Sequence, residues 1–439
     1  MSLSSLSVER FRAFGRKVRL DPRPVTLVFG YNSDGKSALV RALPLLAASV
    51  GRDRPGALDL RSPAVRGASF EDLVSKYGRS LTVNFELAWD DDEQPVAALQ
   101  IELRSGGIGQ PEIIEALRCF DRAGAPLLDL SVDYGEDAVG GLGTYTVTVR
   151  GAACGACRPD FRGLVPWIAN DWIEKVAPPM VRPELVAGLS GLQQRLLGLP
   201  DTVYWLSAVR ALPPRRGELR GRPARIEADG QYADEHLAFE GGRDRTVIDE
   251  VNGFFRDVTG HELIVEESRF GGVAGYTIGL TRLGGPDFRV NILDTGEGMA
   301  QVLPVAVYLA LAKCGRLGRS PIVILEHPES DLHPSAHEKV AAHLCRVAAS
   351  TDVRFIVETH SENFLSRVQL AVVRGEIPVE SVQLNWIWRH EDGAALRVIE
   401  IDRGAALRNW PEGVFAEDTA LHRMILEARG RKVDGRSRS

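Results

Sequence analysis

The stretch Gly30-Tyr31-Asn32-Ser33-Asp34-Gly35-Lys36-Ser37 has the pattern G-x-x-x-x-G-K-S and decides how the rest of the chain is interpreted. It follows the apolar run Val25 to Gly30, which predicts a buried strand, and it opens a helical pattern from Gly35 to Val50. A glycine-rich turn between a strand and a helix presents backbone N–H groups and a positive helix end to polyphosphate. Lys36 then neutralises the β and γ phosphates, and the Ser37 hydroxyl ligates Mg²⁺. The stretch therefore predicts a nucleotide site.

The composition places this site in an ordinary globular chain. Its 439 residues are 44% hydrophobic and 26% charged, with a formal net charge of −6, and are enough for two or three domains. Apolar runs such as Pro304 to Ala312 fall short of the roughly 20 residues that span a bilayer, and Ser2 to Arg10 lacks the pattern of a secretory signal. We expect no membrane segment, a cytoplasmic location and reduced thiols at all five cysteines.

The segment Pro321 to Glu326 predicts the second half of the nucleotide site. Apolar residues end there in a carboxylate at the C-terminal end of a predicted strand, where α/β sheets place their ligands. Mg²⁺ and its waters need such an acidic group on a neighbouring strand. The expected metal ligands are therefore Ser37 and Glu326.

The order of these pieces resembles the ATP-binding-cassette heads of the SMC, RecF and OLD-nuclease ATPases. More narrowly, it is similar to bacterial AAA-family ATPases that carry an uncharacterised C-terminal domain and often occur in anti-phage operons. The resemblance covers roughly Leu3 to Leu87 and Asp244 to Gly430. Besides the two segments above, it is carried by Phe11-Arg12-Ala13-Phe14, Asp294-Thr295-Gly296-Glu297-Gly298-Met299-Ala300-Gln301, Glu358-Thr359-His360-Ser361-Glu362-Asn363 and Asn409-Trp410-Pro411-Glu412-Gly413-Val414-Phe415. It implies an α/β P-loop ABC-type ATPase head, a mixed sheet flanked by helices, with an inserted α+β arm.

The resemblance also implies roles for residues outside the glycine-rich turn. Thr295-Gly296-Glu297 corresponds to the signature motif, which caps the γ-phosphate held by the other protomer; on the residues alone, an ordinary helix N-cap fits as well. His360 corresponds to the switch histidine at the γ-phosphate, and Arg12 to an arginine that contacts nucleotide in related heads. The expected ATP contacts are Arg12, Gly30, Asn32, Ser33, Asp34, Gly35, Lys36, Ser37, Thr295, Gly296 and Glu297.

The chain departs from the family pattern immediately after Glu326. The family has Glu or Gln at the next position, where it polarises the attacking water, whereas this chain has His327. Either His327 is the base, or Glu329 or a partner's residue substitutes for it, or hydrolysis is slow. We favour slow hydrolysis, with ATP acting mainly as a clamp between two heads. The expected catalytic residues are Glu326, His327 and His360.

Strand, helix and linker patterns suggest a division of the chain. Strand patterns alternate from Leu81 to Val149, helical spacing of apolar residues runs from Leu164 to Leu199, and the Pro, Gly and Arg-rich stretch Arg210 to Arg225 predicts a linker. We expect an N-terminal lobe of the head (1–99), an inserted arm (100–225), a C-terminal lobe of the head (226–382), and a small C-terminal domain with a basic tail (383–439).

The implied function is an ATPase that dimerises its heads around ATP, as a homodimer or higher oligomer, and drives a separately encoded effector, as in anti-phage defence. Two alternatives stay open: a RecF-like or SMC-like DNA-repair ATPase and a hydrolysis-deficient ATP-bound scaffold. In the first, the arginines of Arg210 to Arg225 would neutralise DNA phosphates, although a solvated linker explains them equally well.

Two further patterns have metal-binding alternatives. The first is a histidine cluster, which family features mostly explain but which also suits a metal-dependent hydrolase: His327, His333, His337 and His343. The second, Cys154-Gly155-Ala156-Cys157, is half of a zinc site that two copies could complete, but no coiled coil flanks it. We favour ordinary thiols at Cys154 and Cys157.

Overall fold

The computed structural model describes residues 2–51, 56–78, 80–107, 110–134, 144–168, 173–175, 177–219, 221–270, 273–285, 288–412 and 414–415. The strands, in chain order, are β1 (Leu3–Glu9), β2 (Val18–Leu20), β3 (Val25–Gly30), β4 (Thr82–Trp89), β5 (Ala98–Arg104), β6 (Ile113–Phe120), β7 (Pro126–Val132), β8 (Tyr145–Val149), β9 (Ala152–Cys157), β10 (Asp160–Arg162), β11 (Val165–Trp167), β12 (Val203–Leu206), β13 (Gly217–Glu218), β14 (His261–Phe270), β15 (Val273–Arg282), β16 (Val290–Asn291), β17 (Ile322–Glu326), β18 (Arg354–Glu358), β19 (Val382–His390), β20 (Gly393–Ile401) and β21 (Leu407–Arg408). The α-helices are α1 (Lys36–Ala48), α2 (Phe70–Leu73), α3 (Arg182–Thr202), α4 (Ala233–Gly241), α5 (Thr246–Thr259), α6 (Glu297–Lys313), α7 (Pro334–Ser350) and α8 (Glu362–Val373). Short 3-10 turns lie at Pro63–Val65, Ile292–Asp294 and Val379–Ser381.

A mixed central sheet carries the glycine-rich turn. Its described strands run in the order β12-β17-β18-β3-β19-β20-β21, and the first five are parallel. Strands β3 and β17 are buried along their whole length, because parallel strands covered on both faces need a continuous apolar run. Their side chains alternate between two cores: Ile324 packs on one face with α1, and Leu325 on the other with α6, α7 and α8. The predicted mixed sheet flanked by helices is confirmed.

The second large sheet is antiparallel, and it corrects the predicted domain limits. Its described strands run in the order β2-β1-β4-β5-β6-β7-β8-β9. Strand β5 (Ala98–Arg104) crosses the predicted boundary at 99/100 and pairs with β4, so the strands of residues 100–225 extend the N-terminal lobe instead of forming a separate arm. The reason is that β1 pairs with only one edge of β4, and β5 pairs with the other edge.

Two more expectations about this division are wrong. Strand β12 lies within 100–225 yet joins the central sheet beside β17, and strand β19 crosses the 382/383 boundary and pairs with β3, so neither region is a separate unit. The helical spacing from Leu164 to Leu199 holds at residues 173–175, which are helical, and in the second half, as α3. Val165–Trp167 forms strand β11 instead, paired with β10, and Trp172 lies outside the described residues.

No helix in the described ranges is long and apolar enough to cross a membrane.

Candidate functional site

The glycine-rich turn connects β3 to α1, as the sequence predicts, and both of its glycines are sterically required. Gly30 has φ 153° and Gly35 has φ 110°, in the region that side chains disfavour. A Cβ on Gly30 would lie 2.3 Å from the carbonyl oxygen of Ile387, on the neighbouring strand β19. Lys36 folds back over the turn, and its Nζ donates to the carbonyl oxygens of Gly30 (3.0 Å) and Tyr31 (2.8 Å). The turn is therefore shaped as a phosphate loop that its own lysine closes.

The carboxylate beside Ser37 is Glu358, which sequence reasoning missed. Strands β17 and β18 are parallel, with Glu326 paired to Glu358 in register, so both carboxylates end at the same edge of the sheet. Ser37 Oγ donates to Glu358 Oε1 at 2.9 Å. Glu326, the expected metal ligand, is held elsewhere: Arg41 donates to both of its oxygens, with an Nε to Oε1 distance of 2.6 Å, and Trp205 Nε1 donates to Oε1 at 2.9 Å.

The surroundings of Ser37 fit a magnesium ion. Glu358 is only 2% exposed, and its second oxygen, Oε2, has no hydrogen-bond partner among the described residues. Burial, together with the nearby charge of Glu326, raises the pKa of Glu358 to about 7. A buried carboxylate oxygen without a partner next to a hydroxyl is a suitable place for a hard divalent cation, which prefers oxygen ligands.

The two expected catalytic histidines lie together at this edge. The rings of His327 and His360 stack with their centroids 5.0 Å apart and an angle of 12° between their planes. His327 has φ 45°; its N–H donates to the Glu358 carbonyl oxygen at 2.8 Å, and its Nε2 lies 3.7 Å from Glu358 Oε1. Burial and the charge of Lys36 lower the pKa of both rings, that of His360 to about 4. Both imidazoles are therefore neutral at pH 7 and able to accept a proton.

Glu329, the alternative base, is turned toward the strand instead. It is 6% exposed and accepts a hydrogen bond from Thr359 Oγ1, while burial raises its pKa.

Arg12 donates to the Val65 carbonyl oxygen at 2.9 Å, and burial and the charge of Arg41 lower its pKa. The expected contact of Arg12 with ATP stays a prediction.

The predicted signature motif, Thr295-Gly296-Glu297, forms a turn that we call the signature turn. It makes its described hydrogen bonds away from the phosphate loop of the same chain. Thr295 Oγ1 donates to the Ile292 carbonyl oxygen at 2.6 Å, and Gly296 begins α6 without a side-chain cap. Gly296 and Glu297 are exposed, so the first N–H groups of this helix face solvent. No hydrogen bond or ion pair between described residues joins this turn to the phosphate loop. The exposed start of α6 could therefore bind an anion that is not held by the phosphate loop of the same chain.

Arg210 holds the signature helix to the loop after β17. It is 5% exposed, and its guanidinium donates to the carbonyl oxygens of Glu326 (2.9 Å), His327 (2.7 Å) and Gln301 (3.1 Å). Burial lowers its pKa to about 10. Arg210 is therefore too buried to contact DNA, as one alternative expected, and both of its terminal nitrogens donate within the protein.

Two other arginines of Arg210 to Arg225 have partners within the protein. Arg215 pairs through both nitrogens with Asp294, at 2.8 and 2.6 Å. Arg225 donates to the Val203 carbonyl oxygen and lies 4.3 Å from the centre of the Tyr204 ring. Arg220 lies outside the described residues.

The histidine cluster is not a metal site. No group of three or more His, Cys, Asp or Glu side chains suited to a metal ion occurs in the part of the chain that the structure describes. His333 caps α7, His337 contacts Ser361 at 2.9 Å, and His343 pairs with Asp257 at 2.9 Å, so these rings face different partners.

The cysteine pair lies in the core. Cys154 and Cys157 are both buried on β9, and burial raises the pKa of Cys157 to about 11. Zinc binds thiolates, and burial disfavours a thiolate at Cys157. Ordinary thiols at both positions stay a prediction.

The segment around Trp410 packs under the phosphate loop. The Trp410 ring lies 5.5 Å from that of Phe29 on β3 and 5.8 Å from that of Trp386 on β19, and it stacks on Phe415 at 5.7 Å. Tyr31, in the loop itself, meets Trp386 edge-on at 5.4 Å. The unusual sequence of this segment thus has a structural role, because it supports the strand that carries the loop.

Sequence signals exist for the residues that were missed. Glu358 ends a buried strand and precedes a histidine two residues later, much as Glu326 ends β17 and is followed by a histidine. Arg41 is a charged residue within the buried part of α1, which predicts a buried acidic partner. Neither signal identifies the partner.

Comparison with known proteins supports the fold. Residues 204–366 match a family model described as "AAA domain, putative AbiEii toxin, Type IV TA system". No curated protein matches the chain. A crystal structure of an SMC head bound to the C-winged helix domain of ScpA matches with a TM-score of 0.50 at 11% identity, over 92% of this chain and 99% of that one.

Two other SMC heads match less closely in TM-score. The SMC head domain from Thermotoga maritima has a TM-score of 0.41 at 14% identity, covering 91% of this chain and 100% of that one. A Smc head with an extended coiled coil, bound to the C-terminal domain of ScpA derived from Pyrococcus furiosus, has a TM-score of 0.46 at 11% identity, covering 90% and 96%.

Proposed function

We propose, starting from a chain that has the SMC-head fold of an ABC-type ATPase, that this protein binds and slowly hydrolyses ATP with Mg²⁺ while two copies close around the nucleotide. One observation carries the proposal: a loop with Lys36 and Ser37 lies beside the carboxylates that end β17 and β18, while no hydrogen bond or ion pair between described residues joins the signature turn of the same chain to that loop. Such a site has its binding half in one protomer and its capping half free for another.

The residues of the loop edge supply distinct parts of the chemistry. Lys36 would exchange its two carbonyl contacts for phosphate oxygens, and backbone N–H groups of the turn would hold the rest of the polyphosphate. Ser37 and a carboxylate at the strand ends would hold Mg²⁺, which when bound neutralises charge on the phosphates. The neutral imidazoles of His327 and His360 can accept a proton from water. A neutral imidazole at the position of the usual acid supports a slow reaction.

The capping half of the site is the start of α6. Its uncapped N–H groups and positive helix end would bind the γ-phosphate held by the partner copy. Arg210 connects Gln301 on α6 to the carbonyl oxygens of Glu326 and His327. A shift of α6 when the dimer closes would therefore also shift the end of β17. This link supports the proposal that ATP acts as a clamp between two heads.

We assign the output of this clamp to a separately encoded effector in anti-phage defence. This assignment comes from the resemblance to ATPases of anti-phage operons; the description of the family matched over 204–366 names a type IV toxin–antitoxin system. The scaffold alternative also has a specific observation in its favour, since Glu326, the usual acid of the strand, is bound by Arg41. Phosphate release separates the two: the ATPase releases phosphate over hours and the scaffold does not.

Binding is tested with Lys36→Ala and a matched control, Lys17→Ala. Lys17 is half-exposed and pairs with Glu86 on the surface, so its loss removes a positive charge without touching the site. We expect Lys36→Ala to weaken binding of a fluorescent ATP analogue by at least about tenfold, and Lys17→Ala to leave it unchanged. Equal binding by both variants would reject the proposed nucleotide site.

Dimerisation is tested at the signature turn. A Cβ on Gly296 meets no atom within 4 Å, so Gly296→Glu should leave the fold intact while placing a carboxylate where the γ-phosphate is expected. Light scattering should show that ATP raises the mass of the wild type toward that of a dimer, and that the variant stays monomeric. An ATP-dependent dimer that forms equally well in Gly296→Glu would show that the capping surface lies elsewhere.

A further inference from the structure

We infer that Glu358, and not Glu326, is the carboxylate that faces the Mg²⁺ of bound ATP, and that Arg41 holds Glu326 away from that role. The inference rests on the proposed ATPase function and deepens it, because it assigns the metal-facing group of the same site. It differs from the expectation drawn from sequence, which gave this role to the residue that ends β17.

Both oxygens of Glu326 already accept hydrogen bonds from buried donors. Arg41 binds it in a two-pronged ion pair, with Nε on Oε1 at 2.6 Å and Nη2 on Oε2, and Trp205 Nε1 adds a second bond to Oε1 at 2.9 Å. The pair is buried, since the side chain of Arg41 is 6% exposed and that of Glu326 is 1% exposed. The guanidinium also lies 5.6 Å from the centre of the Trp205 ring, which fixes its plane. Releasing Glu326 to a metal would leave a buried arginine unpaired.

Glu358 has both the position and a free oxygen. Its Oε1 already accepts from Ser37 Oγ, the hydroxyl that ligates Mg²⁺ in phosphate loops of this type. Its Oε2 is buried and has no hydrogen-bond partner within the described ranges. Buried carboxylate oxygens are normally hydrogen-bonded, so this oxygen is available to a ligand. A metal coordinated by Ser37 would therefore find Glu358 beside it.

The backbone explains why the exchange of roles is feasible. Glu326 and Glu358 are directly paired between parallel strands, so both reach the same edge of the sheet. Strand β18 lies between β17 and β3, which places the end of β18 nearer to the phosphate loop. Glu358, at the end of the nearer strand β18, can thus take the metal-facing position that Glu326 on β17 was expected to fill.

The test compares two isosteric variants, Glu358→Gln and Glu326→Gln, by cation binding instead of turnover. Mn²⁺ is titrated into protein loaded with a non-hydrolysable ATP analogue and followed by electron paramagnetic resonance, and metal-free binding of the same analogue is measured in EDTA. We expect Glu358→Gln to weaken Mn²⁺ binding by about tenfold or more, as loss of an outer or inner metal partner does. Glu326→Gln should change it by less than about threefold. Binding of the analogue in EDTA shows separately how much of any loss comes from the nucleotide and how much from the cation.

A double variant covers the case in which Glu326→Gln does not fold. Arg41→Gln with Glu326→Gln removes both charges of the buried pair together, and the new amide at 326 can still accept from Trp205 Nε1. Retained Mn²⁺ binding in this double variant supports the inference. Loss of Mn²⁺ binding in either variant that lacks Glu326 overturns it, as does unchanged binding in Glu358→Gln. Failure of the wild type to bind the analogue at all would instead reject the proposed function.

Discussion

The buried pair of Arg41 and Glu326 gives the sharpest prediction for stability. In Arg41→Gln the protein loses two hydrogen bonds from a guanidinium to a carboxylate that is 1% exposed. Each such charge-assisted bond contributes about 1.5–3 kcal/mol, and the desolvation of arginine offsets part of the sum. We therefore expect the free energy of unfolding to fall by about 3–5 kcal/mol, the range found when one partner of a buried ion pair is removed.

The measurement is urea unfolding followed by tryptophan fluorescence, with a surface pair as the matched control. Arg215 and Asp294 form an equally two-pronged pair, but their side chains are 59% and 47% exposed, so Arg215→Gln should lower the free energy of unfolding far less than Arg41→Gln does. Combining Arg41→Gln with Glu326→Gln should recover part of the loss, because no unpaired charge then remains buried. If Arg41→Gln is as mild as Arg215→Gln, the buried pair does not hold Glu326 and the reasoning is refuted.

Three further predictions concern the packing and protonation of the head. Gly298→Ala should destabilise the protein by about 1–3 kcal/mol in urea, because its Cβ would lie 2.2 Å from the Asp331 carbonyl oxygen, whereas Gly296→Ala, with nothing within 4 Å, should be nearly neutral. Burial lowers the pKa of His343, so the unfolded chain binds its proton more tightly and the free energy of unfolding falls as the pH drops below about 6.5. His343→Gln should flatten that fall between pH 7 and 5.5, and parallel curves would contradict the assignment. Because burial raises the pKa of Cys157 to about 11, iodoacetamide at pH 8 should label it only after unfolding, as mass spectrometry can check.

The local chemistry of the site was predictable from sequence because its motifs are contiguous. A phosphate loop is built from consecutive backbone N–H groups and one lysine, and strand β3 and helix α1 flank it as the hydrophobic pattern predicts. His327 and His360 were both named from their motifs, but their stacking is a finding of the structure, which places both just beyond the ends of parallel strands. The predicted arm failed for the opposite reason: an alternating pattern identifies a strand but does not say which sheet edge it joins.

The sequence by itself determined a glycine-rich turn between a strand and a helix, an acidic strand end and a helix after Thr295-Gly296-Glu297, because each depends on neighbouring residues. Only the tertiary structure decided which carboxylate meets Ser37. That choice depends on the register between β17 and β18 and on Arg41, which is 285 positions from the glutamate it binds. An ion pair across such a distance forms only when the sheet brings α1 against β17, and no spacing along the chain records it.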